Sequence, residues 1–234
     1  MGNSTETIKG VEPVVLDVAR FNDEVVGGYN AGTAEKELPA YLDTARSLVP
    51  AGTGALRDFS YIAPDIPEFV TEKCVGCMEC VTECPDTAIL GKALPRETLE
   101  KKLAEISDEA ERNRLRSMWT ETNKYYKLYE KKGEVPALFG IFIDPTKCKG
   151  CAECVAACGD HQALKMITKD DRSLAGYQRA FKFYREVGET PAQYINERAL
   201  VDFMLKPDSL LYVGGAGSCM GCGEATAIRM MLTA

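Results

Sequence analysis

The sequence has no excess of basic residues: 28 Lys and Arg stand against 35 Asp and Glu, giving a formal net charge of -7 over 234 residues. Neutralising phosphate takes a concentrated basic face, so nucleic acid is not an expected partner. No run of about 18 apolar residues occurs, which argues against a membrane-spanning helix and a membrane partner. The opening MGNSTETIKG lacks the apolar core of a signal peptide, so a cytoplasmic location is expected. Without secretion the Asn3-Ser4-Thr5 triplet has no meaning as a glycosylation acceptor. The remaining composition, 45% apolar and 27% charged, excludes disorder and collagen and is enough to bury a core in one large domain or two smaller ones.

No cysteine is isolated either. All ten fall in three clusters: Cys74, Cys77, Cys80 and Cys84; Cys148, Cys151, Cys154 and Cys158; and Cys219 with Cys222. Disulfides are a poor reading of thiols crowded every third residue. Zinc sites pair two ligand motifs a dozen or more residues apart, which leaves the third and fourth cysteines of each run unexplained, and zinc knuckles remain the alternative. The pattern C-x2-C-x2-C-x3-C-P at 74 to 85 (CVGCMECVTECP), repeated without the proline at 148 to 158 (CKGCAECVAAC), suits a cuboidal 4Fe-4S cluster, which needs one thiolate at each iron corner. In two-cluster bacterial ferredoxins the fourth cysteine of each run serves the other cluster. By that likeness Cys74, Cys77, Cys80 and Cys158 hold one cluster, and Cys148, Cys151, Cys154 and Cys84 hold the other.

The two runs form an internal repeat. Aligning Cys74 with Cys148 also pairs Gly76 with Gly150, Glu79 with Glu153, Val81 with Val155 and Asp86 with Asp160. Each glycine falls where the backbone must turn sharply and bring its N–H groups near sulfur. The apolar residues at 88–90, 138–143 and 163–167 are expected to cover the clusters and pair as short strands. The segments 70–93 and 138–168 resemble the bacterial-type two-cluster ferredoxin. The implied fold class is α+β, a pseudo-twofold ferredoxin unit over 70–168 with a helical insertion and helical flanking segments. One departure stands out: Gly159 replaces the usual proline after Cys158, followed by Asp160 and the lone His161. That histidine reads as a polar turn position, with proton coupling to cluster reduction as the sharper alternative.

Residues 95–132 form the insertion, with Leu99, Leu103, Ile106 and Ala110 on one helical stripe and Leu115, Trp119, Tyr126 and Tyr129 on another, stopped by Gly133 and Pro136. Trp119 is expected to pack. Residues 1–69 carry no cysteine and read as a linker or strap, with Pro13, Gly27, Gly28 and Pro39 among the breakers of short apolar runs such as Val14 to Val18. Over 169–210 a helical connector is expected: Tyr177, Phe181 and Tyr184 on a core stripe, then a second helix from Thr190-Pro191 to Pro207.

The tail, GGAGSCMGCGEATAIRMMLTA, joins a Gly-rich turn, a C-x2-C pair and a helix from Glu224. Two thiols cannot complete a cluster, and a redox dithiol is the other reading of such a pair. A ferredoxin module followed after about sixty residues by S-C-x-G-C-G-E resembles the pyruvate:ferredoxin oxidoreductase family of 2-oxoacid oxidoreductases. The resemblance covers residues 60 to 234 and makes 211–234 the start of a thiamine-diphosphate domain. It implies that Cys219 and Cys222 are two ligands of a third 4Fe-4S cluster, completed by a partner chain or by sequence absent here, with Glu224 close to the thiamine cofactor. Thiamine diphosphate with magnesium, the coenzyme A site and the 2-oxoacid site then belong to the partner. This chain becomes the electron-transfer part of pyruvate synthase, inactive alone and delivering electrons to ferredoxin or flavodoxin, with no catalytic residue of its own. A stand-alone ferredoxin-like carrier, or an adaptor subunit of another low-potential oxidoreductase, is the alternative.

Overall fold

The computed structural model describes residues 16–56, 58–207, 209, 219 and 222–234. The Gly-rich turn of the tail, Pro13 and the first residues of the Val14 to Val18 run lie outside them. The chain divides into two compact units, Met1–Arg57 and Asp58–Ala234.

In the first unit Asp17 caps α1 (Val18–Arg20), its carboxylate accepting the N–H of Arg20 at 3.0 Å. The helix continues through a π-helical stretch, Phe21–Val26, into α2 (Gly27–Ala31). Gly27 and Gly28 therefore do not break it as the sequence suggests: the turn before them is anchored by buried Phe21 and Val25, and the stop falls at Gly32, with φ +72°. Two short helices follow, α3 (Ala34–Glu37) and α4 (Leu42–Ala45), and the Arg20 guanidinium lies 3.9 Å above the Tyr41 ring.

The second unit mixes helix and sheet. Strand β1 (Asp65–Phe69) pairs antiparallel with β5 (Leu164–Thr168), from Asp65↔Thr168 to Phe69↔Leu164. Strand β2 (Ile89–Pro95) pairs antiparallel with β4 (Ala137–Ile143), whose other edge takes the two-residue β3 (Trp119–Thr120). The expected strand runs thus form. Every residue of β4 is buried, because both faces of this sheet are covered. On one face Ile89, Ala93, Phe139, Ile141 and Ile143 join a core with Met78 and Val81 from the first cysteine run. On the other, Leu90, Leu94, Leu138 and Phe142 meet α6 (Arg96–Leu103), α7 (Glu109–Arg116) and α10 (Asp171–Glu186) through Leu99, Leu103, Leu115, Phe183 and Tyr184. Burying each leucine contributes roughly 1.5–3 kcal/mol. A bidentate pair, Arg116 to Glu100 at 2.9 and 2.8 Å, ties α7 to α6.

Within the insertion, α8 (Leu128–Lys132) ends at Gly133 (φ +72°) as anticipated. Trp119 departs from the expected helical stripe. Helix α7 stops at Arg116, and Trp119 pairs with Gly140 in β3, its ring 5.3 Å from that of Phe142. Gly140 makes room for this, since a Cβ there would lie 3.0 Å from the Met118 carbonyl. It packs, but from a strand.

The connector also differs. Helix α10 opens in a reciprocal Asp170–Ser173 capping box and buries Tyr184 as expected. No second α-helix follows; the segment makes 3₁₀ turns at Ala192–Tyr194 and Leu200–Leu205. Side chains pin it in place of a continuous helix: Thr190 Oγ1 accepts the N–H of Ala93 at 3.1 Å, and the Asp202 carboxylate accepts the N–H of Asn196 at 3.3 Å.

Candidate metal centres

Each cysteine run enters through a tight turn that only a few residues tolerate. Gly76 and Gly150 have φ of +77° and +71°, and two positions on Met78 and Ala152 are also left-handed, at +72° and +64°. A residue with a Cβ gives up about 1–2 kcal/mol in that region, so the same strain is accepted twice at matching places. Space is short as well: a Cβ on Gly76 would lie 3.1 Å from the Tyr125 ring, and one on Gly150 2.8 Å from the Asp65 carbonyl oxygen. The turns deliver α5 (Glu79–Thr82) and α9 (Glu153–Cys158), which pack together and carry Cys80 and Cys154 into the interior.

The sulfurs gather in two rings. Cys74, Cys77, Cys80 and Cys158 line a cavity of about 20 Å³ walled by Phe69, Met78, Phe139, Ile141 and Leu164. Cys84, Cys148, Cys151 and Cys154 line a second of the same size, walled by Pro67, Ala88, Ile89 and Ile143. Each ring takes three sulfurs from one run and the fourth from the other.

The electrostatics of the rings follows from this crowding. Burial pushes the Cys74 thiol up to about 11 and that of Cys148 up to about 12, against an opposing backbone hydrogen bond from Gly76 or Gly150. Cys80 and Cys154 are raised by burial and then by neighbouring sulfurs, those acting on Cys154 being Cys84, Cys148 and Cys151. Burial also raises Cys84, less so because the N–H groups of Ala88 and Ile89 and the Arg229 guanidinium favour its thiolate. The N–H of Ala88 meets Cys84 Sγ at 3.3 Å, and the N–H of Ala163 meets Cys158 Sγ at 3.2 Å. Four thiols around a small apolar cavity, with backbone N–H groups aimed at sulfur, are anions only when a cationic core fills the ring, and that donor set is suited to a cubane cluster. Among the described residues no three His, Cys, Asp or Glu side chains are arranged to hold a single metal ion.

Of the other candidate site residues singled out in the sequence, only His161 touches either cavity among the described residues. His161 is exposed at the rim of the first cavity, Cys222 is half-buried at the N-cap of α11 (Gly223–Thr233), Cys219 is exposed, and Glu224 is exposed in the first turn of that helix. Three features escaped the sequence reading. Asp86 and Lys149 form a 3.0 Å ion pair linking the two runs. Asp202, only 1% exposed, accepts from Tyr125 Oη at 3.1 Å and pairs with Lys124. Arg229 is fully buried against the end of α5. A charged residue gives no periodic signal of its own burial; for Arg229 the sole cue is its place among apolar residues of the tail.

Among the described residues no helix is long and apolar enough to cross a membrane. A family model of a 4Fe-4S binding domain matches residues 66–89. The chain is 25% identical over 227 residues to the probable pyruvate-flavodoxin oxidoreductase of Escherichia coli (strain K12), covering 94% of this chain and 17% of that protein. It is 25% identical over 218 residues to the pyruvate:ferredoxin oxidoreductase of Moorella thermoacetica, covering 93% of this chain and 16% of the relative. Against the pyruvate dehydrogenase [NADP(+)] of Cryptosporidium parvum it is 26% identical over 226 residues, 92% of this chain and 10% of that protein. The chain therefore spans a small part of the length of the curated relatives it matches. Over nearly all of its length the chain is thus similar to a part of pyruvate:ferredoxin and pyruvate-flavodoxin oxidoreductases, and it carries a match to a 4Fe-4S binding domain within that stretch.

Proposed function

We propose that this chain is the electron-transfer part of a 2-oxoacid oxidoreductase acting on pyruvate, with two 4Fe-4S clusters in a pseudo-twofold ferredoxin unit. The observation that carries the reading is the crossed membership of the two sulfur rings. Cys74, Cys77, Cys80 and Cys158 hold one cluster, and Cys84, Cys148, Cys151 and Cys154 hold the other. When bound, the clusters supply one-electron transfer at low potential. The residues of this chain set the conditions for it. Apolar walls from β2, β4 and β5 keep water from the rings, and the N–H groups of Ala88 and Ala163 support the charge on Cys84 and Cys158. The left-handed turns at Gly76 and Gly150 bring the first two sulfurs of each run onto one ring.

Cys219 and Cys222 contribute two ligands to a third cluster whose other two come from the partner chain or the remainder of the enzyme. The exposure of Cys219 and the half-burial of Cys222 support this, since thiols meant for a shared site must remain reachable from outside. Thiamine diphosphate with magnesium, coenzyme A and the 2-oxoacid bind on that remainder, with Glu224 facing the thiamine site. Ferredoxin or flavodoxin takes the electrons. A cytoplasmic setting suits such chemistry.

Anaerobic reconstitution tests the reading. The chain alone should take up about eight irons and show two interacting cluster signals on reduction. With its partner about twelve are expected, and Cys219→Ser should remove about four of them. Zinc in place of iron, or full 2-oxoacid activity and iron content in the Cys219→Ser complex, would overturn it.

A further inference from the structure

The two cysteine runs leave their last cysteine in different ways. In the second, the N–H of Gly159 donates to the Ala156 carbonyl and closes α9. The matching carbonyl of the first run belongs to Thr82, and the residue three positions on is Pro85, which has no N–H to give. Carbonyls at a helix end that lack a partner must find one elsewhere. Here they find it in the tail. Thr226 Oγ1 donates to the Thr82 carbonyl at 3.1 Å. Arg229 Nη1 donates to the carbonyls of Val81 at 2.9 Å, Thr82 at 3.4 Å and Cys84 at 2.7 Å, the last of which also accepts the N–H of Thr87 at 3.4 Å. Both donors sit on α11, the helix with Cys222 at its N-cap position, and its far end is held by Lys206 Nζ, which donates to the Thr233 carbonyl at 2.8 Å.

Arginine stays protonated in proteins, so this arrangement carries more than hydrogen bonds. A fully buried guanidinium places a fixed positive charge beside the backbone of Cys84. At the second run the same capping task falls to a neutral N–H. A positive charge favours the more negative, reduced state of a nearby cluster and raises its potential.

We infer that Arg229, assisted by Thr226, replaces the hydrogen bond that Pro85 cannot make, and so docks the Cys222-bearing helix on the Cys84 corner and raises the potential of the cluster held by Cys84, Cys148, Cys151 and Cys154. Arg229 is a positioning residue, acting through the Cys84 corner. The inference rests on the two-cluster reading, but the two fail differently: a wild-type chain without two cluster signals defeats that reading, whereas wild-type signals with unresponsive potentials defeat this one.

The test is a spectroscopically monitored redox titration of the reconstituted full chain. In Arg229→Gln one midpoint potential should fall while the other moves less, and Arg229→Lys should stay near wild type. The falling potential must belong to the signal that Cys151→Ser alters. Adding Pro85→Gly to Arg229→Gln restores a backbone N–H, so thermal stability should recover while the lowered potential remains. Unchanged potentials in Arg229→Gln at full iron content overturn the inference, as does a shift confined to the cluster that Cys151→Ser leaves alone. Should Arg229→Gln not take up iron, the Pro85→Gly/Arg229→Gln chain is read instead, and its failure to assemble also overturns the inference.

Discussion

The first and second cysteine runs share what ligation demands and differ where the rest of the chain attaches. Both turn at a left-handed glycine and again at a left-handed residue before a short helix, and both aim a backbone N–H at the fourth sulfur. Past that sulfur they diverge. The donor to Cys84 is four residues on and the donor to Cys158 five, so the second exit is one residue longer, with Gly159 at φ +49° and ψ -128° where proline could not fit. Asp86 is buried in an ion pair, whereas Asp160, aligned with it in sequence, is exposed. The first run lies under Tyr125 and the tail helix, while the second abuts the edge of β1. Where the repeat holds, the cofactor dictates the structure; where it breaks, the surrounding domain does.

The largest effect that sharpens this comparison is expected at the glycines. Gly150→Ala sets a Cβ against the Asp65 backbone and adds about 1–2 kcal/mol of left-handed strain, so iron uptake at the second run should collapse. Gly76→Ala bears the same strain but meets a side chain, Tyr125, and should lose less on thermal melting. Equal losses would mean that the close approach to Asp65 does not matter. Next, Asp202→Ala strips the support from Tyr125 Oη and half-exposed Lys124 and should cost about 1–3 kcal/mol in denaturant unfolding, with the first-run cluster the more labile of the two.

A smaller, pH-dependent effect concerns the metal-free chain. Cys74 and Cys148 have folded values near 11 and 12 against an ordinary 9.0. The unfolded thiols lose protons first, so these groups contribute fully below pH 9 and the contribution disappears as pH rises toward 11 to 12. Chemical unfolding between pH 8 and 11 should show stability falling; a rise would contradict the assigned burial. The smallest effect is at exposed His161, where His161→Ala should leave the pH dependence of both potentials unchanged.

The cysteine spacing made the two groups of four thiols legible, because cysteines repeated every third residue on a tight turn must converge on one cavity. The apolar run at 138–143 likewise announced a strand, although its burial on both faces came from helices that the run itself does not record. Less could be read where tertiary contacts overrode periodicity. Trp119 fits a helical stripe by spacing but was taken by the open edge of β4 beside Gly140, and the 191–206 segment follows anchors at Thr190 and Asp202 over its helical pattern. Arg229 left only its apolar neighbours in the tail as a cue, because its partners are backbone carbonyls nearly 150 residues away, which no local pattern records. The contrast between Pro85 and Gly159 was visible as a departure; what it required of the tail was not.

Crossed ligation is tested most directly by nested cysteine replacement. A chain with Cys74, Cys77 and Cys80 all changed to Ala should still assemble one cluster. Adding Cys158→Ala should leave that cluster intact, and adding Cys84→Ala should abolish it. If the surviving cluster instead tolerates loss of Cys84 and fails without Cys158, each run serves its own cluster and the account is wrong.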